Sequence, residues 1–387
     1  MATRKLYYED SHRKTFSAQV ISCTREEGHC RVILDATAFY PEGGGQAADT
    51  GKLGGVRVLD TREAGEDIVH FCDGVLEPGS VVTGEIDYES RFIRMQQHSG
   101  EHILSGLVFR KYGYHNSGFH MNLKQMQVDF DGPIPAEDLP ELEKAANRAV
   151  WEDIPIHCWI PAPEELGAIA YRTKRALPWP VRIVEIPGYD ICACCGTHVS
   201  ATGEIGLIKL FSAVPFRGGT RMEMACGAPA LALMNRVFDQ NRQVSRLLSA
   251  QITQTGQAVE KLLGTLEEWK TKAIRLEKQN LASRTEDFRD AGDCFSFAED
   301  LSPELLRELT DGAAKLSGGI TAVFSRTEAG IGYCLAQPDG DLRSLNKEMT
   351  GALSGRGGGK PPFQQGRLSA SQGEIRAFFL AKGFREV

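Results

Sequence analysis

The 387-residue chain has no run approaching the roughly 18 uninterrupted apolar residues that a membrane span requires. Met1 to Lys14 is charged and no apolar stretch follows it, so the pattern of a secretory leader is missing. A positive excess is missing too. Lys and Arg number 44 against 51 Asp and Glu, and the net charge of −7 argues against holding nucleic acid by bulk attraction, leaving only a regional basic face for that task. Nor is this a disulfide scaffold: ten cysteines in so long a chain, three of them packed into Cys192-Ala193-Cys194-Cys195, belong to a protein whose core needs no staples. A cytoplasmic protein without a membrane partner, using thiols for metal or redox chemistry, is the expectation.

Glycine, by contrast, is plentiful at 41 residues, and it is clustered rather than spread. Between Ala18 and Asp87 short alternating runs such as Arg31-Val32-Ile33-Leu34 and Val56-Arg57-Val58-Leu59 are separated by Gly, Asp and Pro, which predicts the strands of a small barrel or sandwich. Within it stands Tyr40-Pro41-Glu42-Gly43-Gly44-Gly45-Gln46. Three glycines in a row pack nothing, so they need a reason such as positive φ or the close approach of a ligand.

Ser90 to Tyr112 has helical spacing and Gly113 stands where the helix would end. A strand at Gln127 to Phe130, a helix from Ala136 to Trp151 opened by Pro135, and strands at Val181 to Ile186 and Gly206 to Phe211 give an α+β order. From Pro229 to about Arg284 Gly and Pro almost vanish, and Val259, Leu262, Leu266, Trp269, Ala273 and Leu276 alternate at spacings of three and four. That seam predicts a long helix or helical hairpin with a break near Thr255-Gly256. The last hundred residues alternate strands, at Ile320 to Phe324 and Ile331 to Leu335, with helices at Glu304 to Leu316 and Ser371 to Lys382, as in a separate α/β domain.

His98-Ser99-Gly100-Glu101-His102 places two imidazoles four residues apart on the predicted helix, about 40° apart in angle and one above the other. Cys194-Cys195-Gly196-Thr197-His198 offers a thiolate and an imidazole in a turn. One pair on a helix and one on a loop make a tetrahedral zinc site of His98, His102, Cys194 and His198. Cys192 and Cys195 compete for the sulfur position, and both read better as small buried residues. A hydrolytic zinc keeps one position open. Either one ligand is weak or absent, or the ion organises the pocket and the substrate's amino group rather than generating hydroxide. The same run also fits H-x-x-E-H, in which two His bind zinc and Glu101 serves as the base of a peptidase, but that reading gives Cys194, His198 and the Gly43 loop no work.

Phe39-Tyr40-Pro41-Glu42-Gly43-Gly44-Gly45-Gln46, His98-x-x-x-His102, Cys194-x-x-x-His198 followed by Gly203-Glu204-Ile205-Gly206, and Arg217-Gly-Gly-Thr-Arg221 leading to Cys226-Gly227 resemble, in order and spacing, the alanyl-tRNA editing proteins (AlaX). These are similar to the editing domain of alanyl-tRNA synthetase, and the segment after residue 228 resembles the C-terminal extension of the long type. The resemblance implies a trans-editing deacylase, an aminoacyl-tRNA ester hydrolase that removes serine or glycine from mischarged alanine tRNA. An alanine pocket cannot exclude glycine and gains little against an added hydroxyl, so a second sieve is needed. It also implies zinc on His98, His102, Cys194 and His198, and close approach of the Gly43, Gly44 and Gly45 backbone to the terminal adenosine or aminoacyl group, with Gln46 and Asp49 nearby. Two positions depart from the family's usual pattern. Ser99 stands where Thr is commoner and keeps the hydroxyl thought to sense a seryl side chain, whereas Glu101 stands where an uncharged residue is usual, as a base or an outer carboxylate.

Arg217 and Arg221 either grip phosphate or pair with carboxylates. Residues 215–280 hold ten Lys and Arg against six Asp and Glu, and 341–387 hold eight against four, so each is +4 within an acidic molecule. Gly357-Gly358-Gly359-Lys360-Pro361 is no Walker loop, because Ser354 replaces its first Gly and Pro361 its Ser/Thr. Its backbone N–H groups with Arg356 and Lys360 either cradle RNA phosphate or form a plain surface loop. The division expected is a β-barrel domain at 1–89, a zinc-containing editing domain at 90–228, a helical connector at 229–286 and a C-terminal α/β domain at 287–387. The long-type resemblance adds tRNA contacts and self-association through the last two. A non-enzymatic RNA-binding protein with a structural zinc is the remaining alternative.

Overall fold

The computed structural model describes residues 2–173, 178–327 and 330–387. The chain is mixed α+β and divides into two compact units, residues 1–243 and 244–387.

In the first unit, alternation of buried and exposed residues along Thr15–Glu26 turns Phe16, Ala18 and Val20 inward. That strand pairs with His29–Leu34 and Val81–Ile86. The ring continues through Asp67–Cys72, Val56–Ala64 and Gly51–Leu53 and closes into a barrel, so no edge is left unpaired. The chain then enters a 25-residue helix, Tyr88–Tyr112. The Asp87 side chain caps its N-terminus by accepting from Ser90 N–H, and Gly113 ends it in the left-handed region at φ +78°.

This central helix packs on a four-stranded antiparallel sheet ordered Ile208–Phe216, Gly219–Cys226, Met126–Phe130, Asn116–Met121. A Cβ on Gly100 would lie 2.3 Å from Cys226 Sγ, so the middle residue of His-Ser-Gly-Glu-His is glycine because helix and sheet touch there. The helix expected at 136–151 begins as a 3-10 turn, Ala136–Asp138, and continues as Leu139–Glu152. A smaller sheet of His157–Trp159, Ile183–Ile186 and Asp190–Ala193 completes the unit. Arg217 lies between the two strands of the hairpin Ile208–Phe216 and Gly219–Cys226, and Arg221 lies within the second.

A buried ion pair fastens the barrel to the central helix. Arg91, fully buried, donates from Nε to Asp49 Oδ2 at 2.8 Å, and its terminal nitrogens bond Asp49, the Ala38 carbonyl and, at 3.0 Å, the Ser11 carbonyl. Asp49 Oδ2 also accepts from Tyr40 N–H at 2.6 Å.

The break expected near Thr255 is real, at 248–254, between helices Ala228–Leu247 and Thr255–Thr285. Val259, Leu262, Leu266, Trp269 and Leu276 of the seam are all exposed. In the second unit a six-stranded mixed sheet runs Gly355–Gly358, Phe363–Leu368, Gly330–Ala336, Gly318–Thr327, Gly292–Glu299, Arg385–Glu386 around Phe295, Phe324 and Phe379. Its Gly-rich run is part strand: Gly355–Gly358 is an edge strand that pairs antiparallel with Phe363–Leu368, and Gly359, Lys360 and Pro361 lie in the connection between the two. A Cβ on Gly357 would lie 2.1 Å from Tyr333 Oη, so packing, not phosphate, accounts for that glycine.

Truncating one partner of a buried, hydrogen-bonded charge pair leaves the other uncompensated, at about 3–5 kcal/mol. Arg91→Ala is therefore expected to lower the unfolding free energy of the first unit by about that amount in a denaturant titration. A loss below about 1 kcal/mol, the range of exposed ion pairs, would contradict this role.

Candidate metal centre and active site

One helical turn separates His98 from His102, and their ring centroids are 5.3 Å apart. The turn after the Asp190–Ala193 strand brings His198 to 4.5 Å from the first ring and 4.7 Å from the second. Cys194 Sγ lies 3.4 Å from His98 Nε2. One donor atom from each of the four residues falls within 4.8 Å of all the others. The turn can come this close only without a side chain in its middle, since a Cβ on Gly196 would lie 2.1 Å from His98 Cε1.

Each imidazole is held by its other nitrogen. His98 Nδ1 meets Gln46 Oε1 at 3.1 Å, and Gln46 is itself fixed by Thr197 through its amide nitrogen at 2.8 Å and its oxygen at 3.2 Å. His102 Nδ1 meets Asp190 Oδ2 at 3.0 Å, and Arg172 grips that carboxylate bidentately at 2.6 and 2.8 Å. Gln46 Oε1 and ionised Asp190 can only accept, so a proton sits on Nδ1 of each ring and Nε2 is the nitrogen left for a ligand. His198 Nδ1 lies 3.4 Å from Ser99 Oγ, whereas its Nε2 is buried with no hydrogen-bond partner among the described residues. An orphaned buried nitrogen beside a thiol and two further ring nitrogens is a donor set that fits a cation.

The electrostatics agree. Burial alone would push the Cys194 thiol up, but the imidazoles of His98, His102 and His198 packed around it outweigh burial and hold the thiol well below its usual range. Burial, and then its place against the His98 ring, push His198 down to about 3, so it is neutral. Burial opposes protonation of His102 as well, yet Cys194 and Asp190 raise it well above the ordinary value. A cation must displace that proton, so metal affinity falls on acidification. The second donor group, His102, Asp190 and Cys192, shares His102 and uses the carboxylate that orients it.

Beside these ligands lies a cavity of about 260 Å³, walled by Gly44, Glu101, Asn116, Phe119, Arg172 and Cys195 among others. Glu101 Oε1 accepts from Asn116 Nδ2 at 2.5 Å and from Ser105 Oγ. Phe119 stacks on His98 at 5.3 Å with 25° between the planes.

Several residues expected at this wall are elsewhere. Of the three glycines, Gly44 lines the cavity. Gly45 has φ +83° and would drive a Cβ to 2.5 Å from Phe119 Cδ1, so tight packing explains it. Gln46 is 1 % exposed and orients His98, while Asp49 is spent on Arg91. Ser99 is fully buried with Oγ between His198 Nδ1 and Val199 N–H, which makes it a positioning group behind the imidazole, not a sensor at the wall. Arg221 pairs bidentately with Asp129 at 2.7 and 2.8 Å and lies 3.6 Å over the Phe216 ring, the carboxylate-pairing alternative. Arg217 lies 5.0 Å over the same ring. Cys195, read as a small buried residue, is exposed on the cavity. Sequence reasoning missed Asp190 and Arg172. The one signal for Asp190 is an acidic residue four positions before Cys194, which is too common to stand out.

Residues 181–223 match the family "Threonyl and Alanyl tRNA synthetase second additional domain", and residues 3–90 match "tRNA synthetases class II (A)". The chain is 27% identical to the alanyl-tRNA editing protein AlaX-L of Pyrococcus horikoshii over 98% of both chains. It is 28% identical to the alanyl-tRNA editing protein Aarsd1-A of Xenopus laevis, covering 87% of this chain and 84% of that one. It is 33% identical to the alanine–tRNA ligase of Ignicoccus hospitalis, over 92% of this chain but 40% of the ligase. The chain thus spans about two fifths of the ligases it matches.

Outer hydrogen bonds of this kind are worth 10–100-fold in metal affinity. Gln46→Ala is expected to weaken binding by about that factor in a competition titration against a chelating dye, with the fold unchanged by circular dichroism. An unchanged affinity would show that His98 is oriented by something else.

Proposed function

We propose, for a chain similar along almost its whole length to alanyl-tRNA editing proteins, that it hydrolyses the ester between a wrong amino acid and alanine tRNA. Seryl and glycyl esters are the substrates of this reading, and the tRNA partner is alanine tRNA mischarged with either. The observation that carries it is the convergence of His98, His102, Cys194 and His198 beside a small cavity with a glycine in its wall. A peptidase built on His98, Glu101 and His102 has no use for Cys194 or His198, whose donors lie with the other two.

Two or three nitrogens with one thiolate are the donor set of zinc, and zinc is the ion assigned here. Bound at these residues it would supply Lewis acidity at the ester carbonyl or a fixed charge that orders the pocket. The chain's own residues do the rest. Gln46, Asp190 and Ser99 hold the imidazoles, Arg172 holds Asp190, and Phe119 and Cys195 shape the cavity. Glu101, pinned on one oxygen by Ser105 and Asn116, is assigned as a carboxylate for the substrate's ammonium group rather than as the base.

The four-part division at 1–89, 90–228, 229–286 and 287–387 remains part of this reading. In the last part Arg356 stands directly opposite Arg367 across the edge pair, both exposed, and Lys360 follows. Like charges placed opposite one another repel, and a phosphate between them would relieve that repulsion, so this edge is assigned to tRNA. The exposed seam of Thr255–Thr285 is assigned to self-association as a homodimer. Ten free cysteines, one of them a low-lying thiolate, suit the reducing cytoplasm. No helix among the described residues is long and apolar enough to cross a membrane.

Purified protein given seryl-, glycyl- and alanyl-tRNA with a peptide control is expected to release serine and glycine and to leave alanine and peptide intact. Peptide cleavage, or binding without turnover, overturns the reading. Cys194→Ala is expected to abolish deacylation, which a peptidase would survive. Glu101→Gln is expected to keep at least about a tenth of the rate, the loss of one charge-assisted contact. A thousandfold loss, the scale of a missing base, would make Glu101 the catalytic base.

A further inference from the structure

A second cavity of about 600 Å³ adjoins the first, and His115, Arg172 and Thr173 line both. The first, at about 260 Å³, falls below the range that encloses a drug-sized ligand, whereas the second lies within it. An aminoacyl group fits the smaller space, and the nucleoside that carries it does not. The larger space is walled by rings: Phe109, which is 40 % exposed, His115, Tyr171 and Tyr189. Phe109 and His115 lie 4.9 Å apart between centroids. Arg110 stands beside them, its guanidinium 5.9 Å from the Tyr189 ring centroid and bonded to the Gly188 and Tyr189 carbonyls. At 1.5 Å per residue Phe109 is roughly 10 Å along the helix axis from His102. That is about the span between an ester carbonyl on a ribose 3′ oxygen and the far edge of a purine on the same sugar.

We propose that this second cavity seats the purine base of the nucleotide bearing the ester, stacked on Phe109 and Tyr171, while the aminoacyl group passes His115 and Arg172 to the four metal-binding residues. The inference rests on the editing reading for its substrate, and it names residues which that reading does not use. Base stacking on an aromatic ring tolerates a shallow, partly open wall because every base offers a π face. Asp190 also lines this cavity and bonds His102, so the base seat and the metal centre are built on one carboxylate.

The test uses the full chain with AMP as probe. Saturation-transfer NMR is expected to show AMP contacting the protein through its purine protons, with CMP binding at least about fivefold more weakly. Phe109→Ala and, independently, Tyr171→Ala are expected to weaken AMP by about tenfold. Each raises KM for seryl-tRNA by a similar factor, with kcat within about threefold. The partial exposure of Phe109 makes its truncation tolerable to the fold. AMP binding that is absent, or unchanged in both variants, overturns the proposal even if seryl-tRNA is hydrolysed. A chain that binds AMP here and loses it in the variants, yet hydrolyses neither seryl- nor glycyl-tRNA, sinks the editing reading and leaves the base seat standing.

Discussion

Three buried imidazoles and a half-buried thiol, with donor atoms within 4.8 Å of one another, form an arrangement that a protein interior disfavours unless a cation joins them. Much of the first unit follows from keeping them there. Helical pitch sets the first two rings, but pitch does not choose which ring nitrogen faces inward. Gln46 and Asp190 make that choice by accepting from Nδ1. The turn carrying the other two donors runs against His98 so closely that its middle residue has no room for a methyl group.

Gln46 comes from the glycine loop of the barrel, not from the helix or the turn, so the barrel is part of the site rather than an appendage. Its loop is tied at Tyr40 and Asp49, and Asp49 is tied to Arg91 one turn into the central helix. A shift of barrel against helix would pull Gln46 off His98. The buried ion pair therefore does structural work for a distant ligand, and this explains why a fully buried arginine is kept near a helix start where an apolar residue would pack as well.

The sequence made the four donors readable because their types and spacings are rare together, and spacing of four on a helix has one geometric meaning. The central helix, its Gly113 end and the helix break at 248–254 were legible for the same reason: periodicity and caps are local. What failed was the assignment of roles to neighbours. Gly45, Gln46, Asp49 and Ser99 lie near the motif in sequence, but which of them reaches the cavity depends on Phe119, His198 and Arg91, which lie far away along the chain. Arg221 illustrates the same limit, since its partner Asp129 comes from the neighbouring strand. The edge strand Gly355–Gly358 was hidden because glycine in a strand looks like a loop until the approaching Tyr333 is seen.

The central claim is that one ion is held by three imidazole nitrogens and the Cys194 sulfur. Zinc-edge X-ray absorption on the full chain reads that coordination directly. The expected result is one sulfur at about 2.3 Å and nitrogen scatterers at about 2.0–2.1 Å with the multiple scattering of imidazole rings, the sulfur vanishing in Cys194→Ala. A first shell of oxygen and nitrogen alone in the unaltered protein would contradict it.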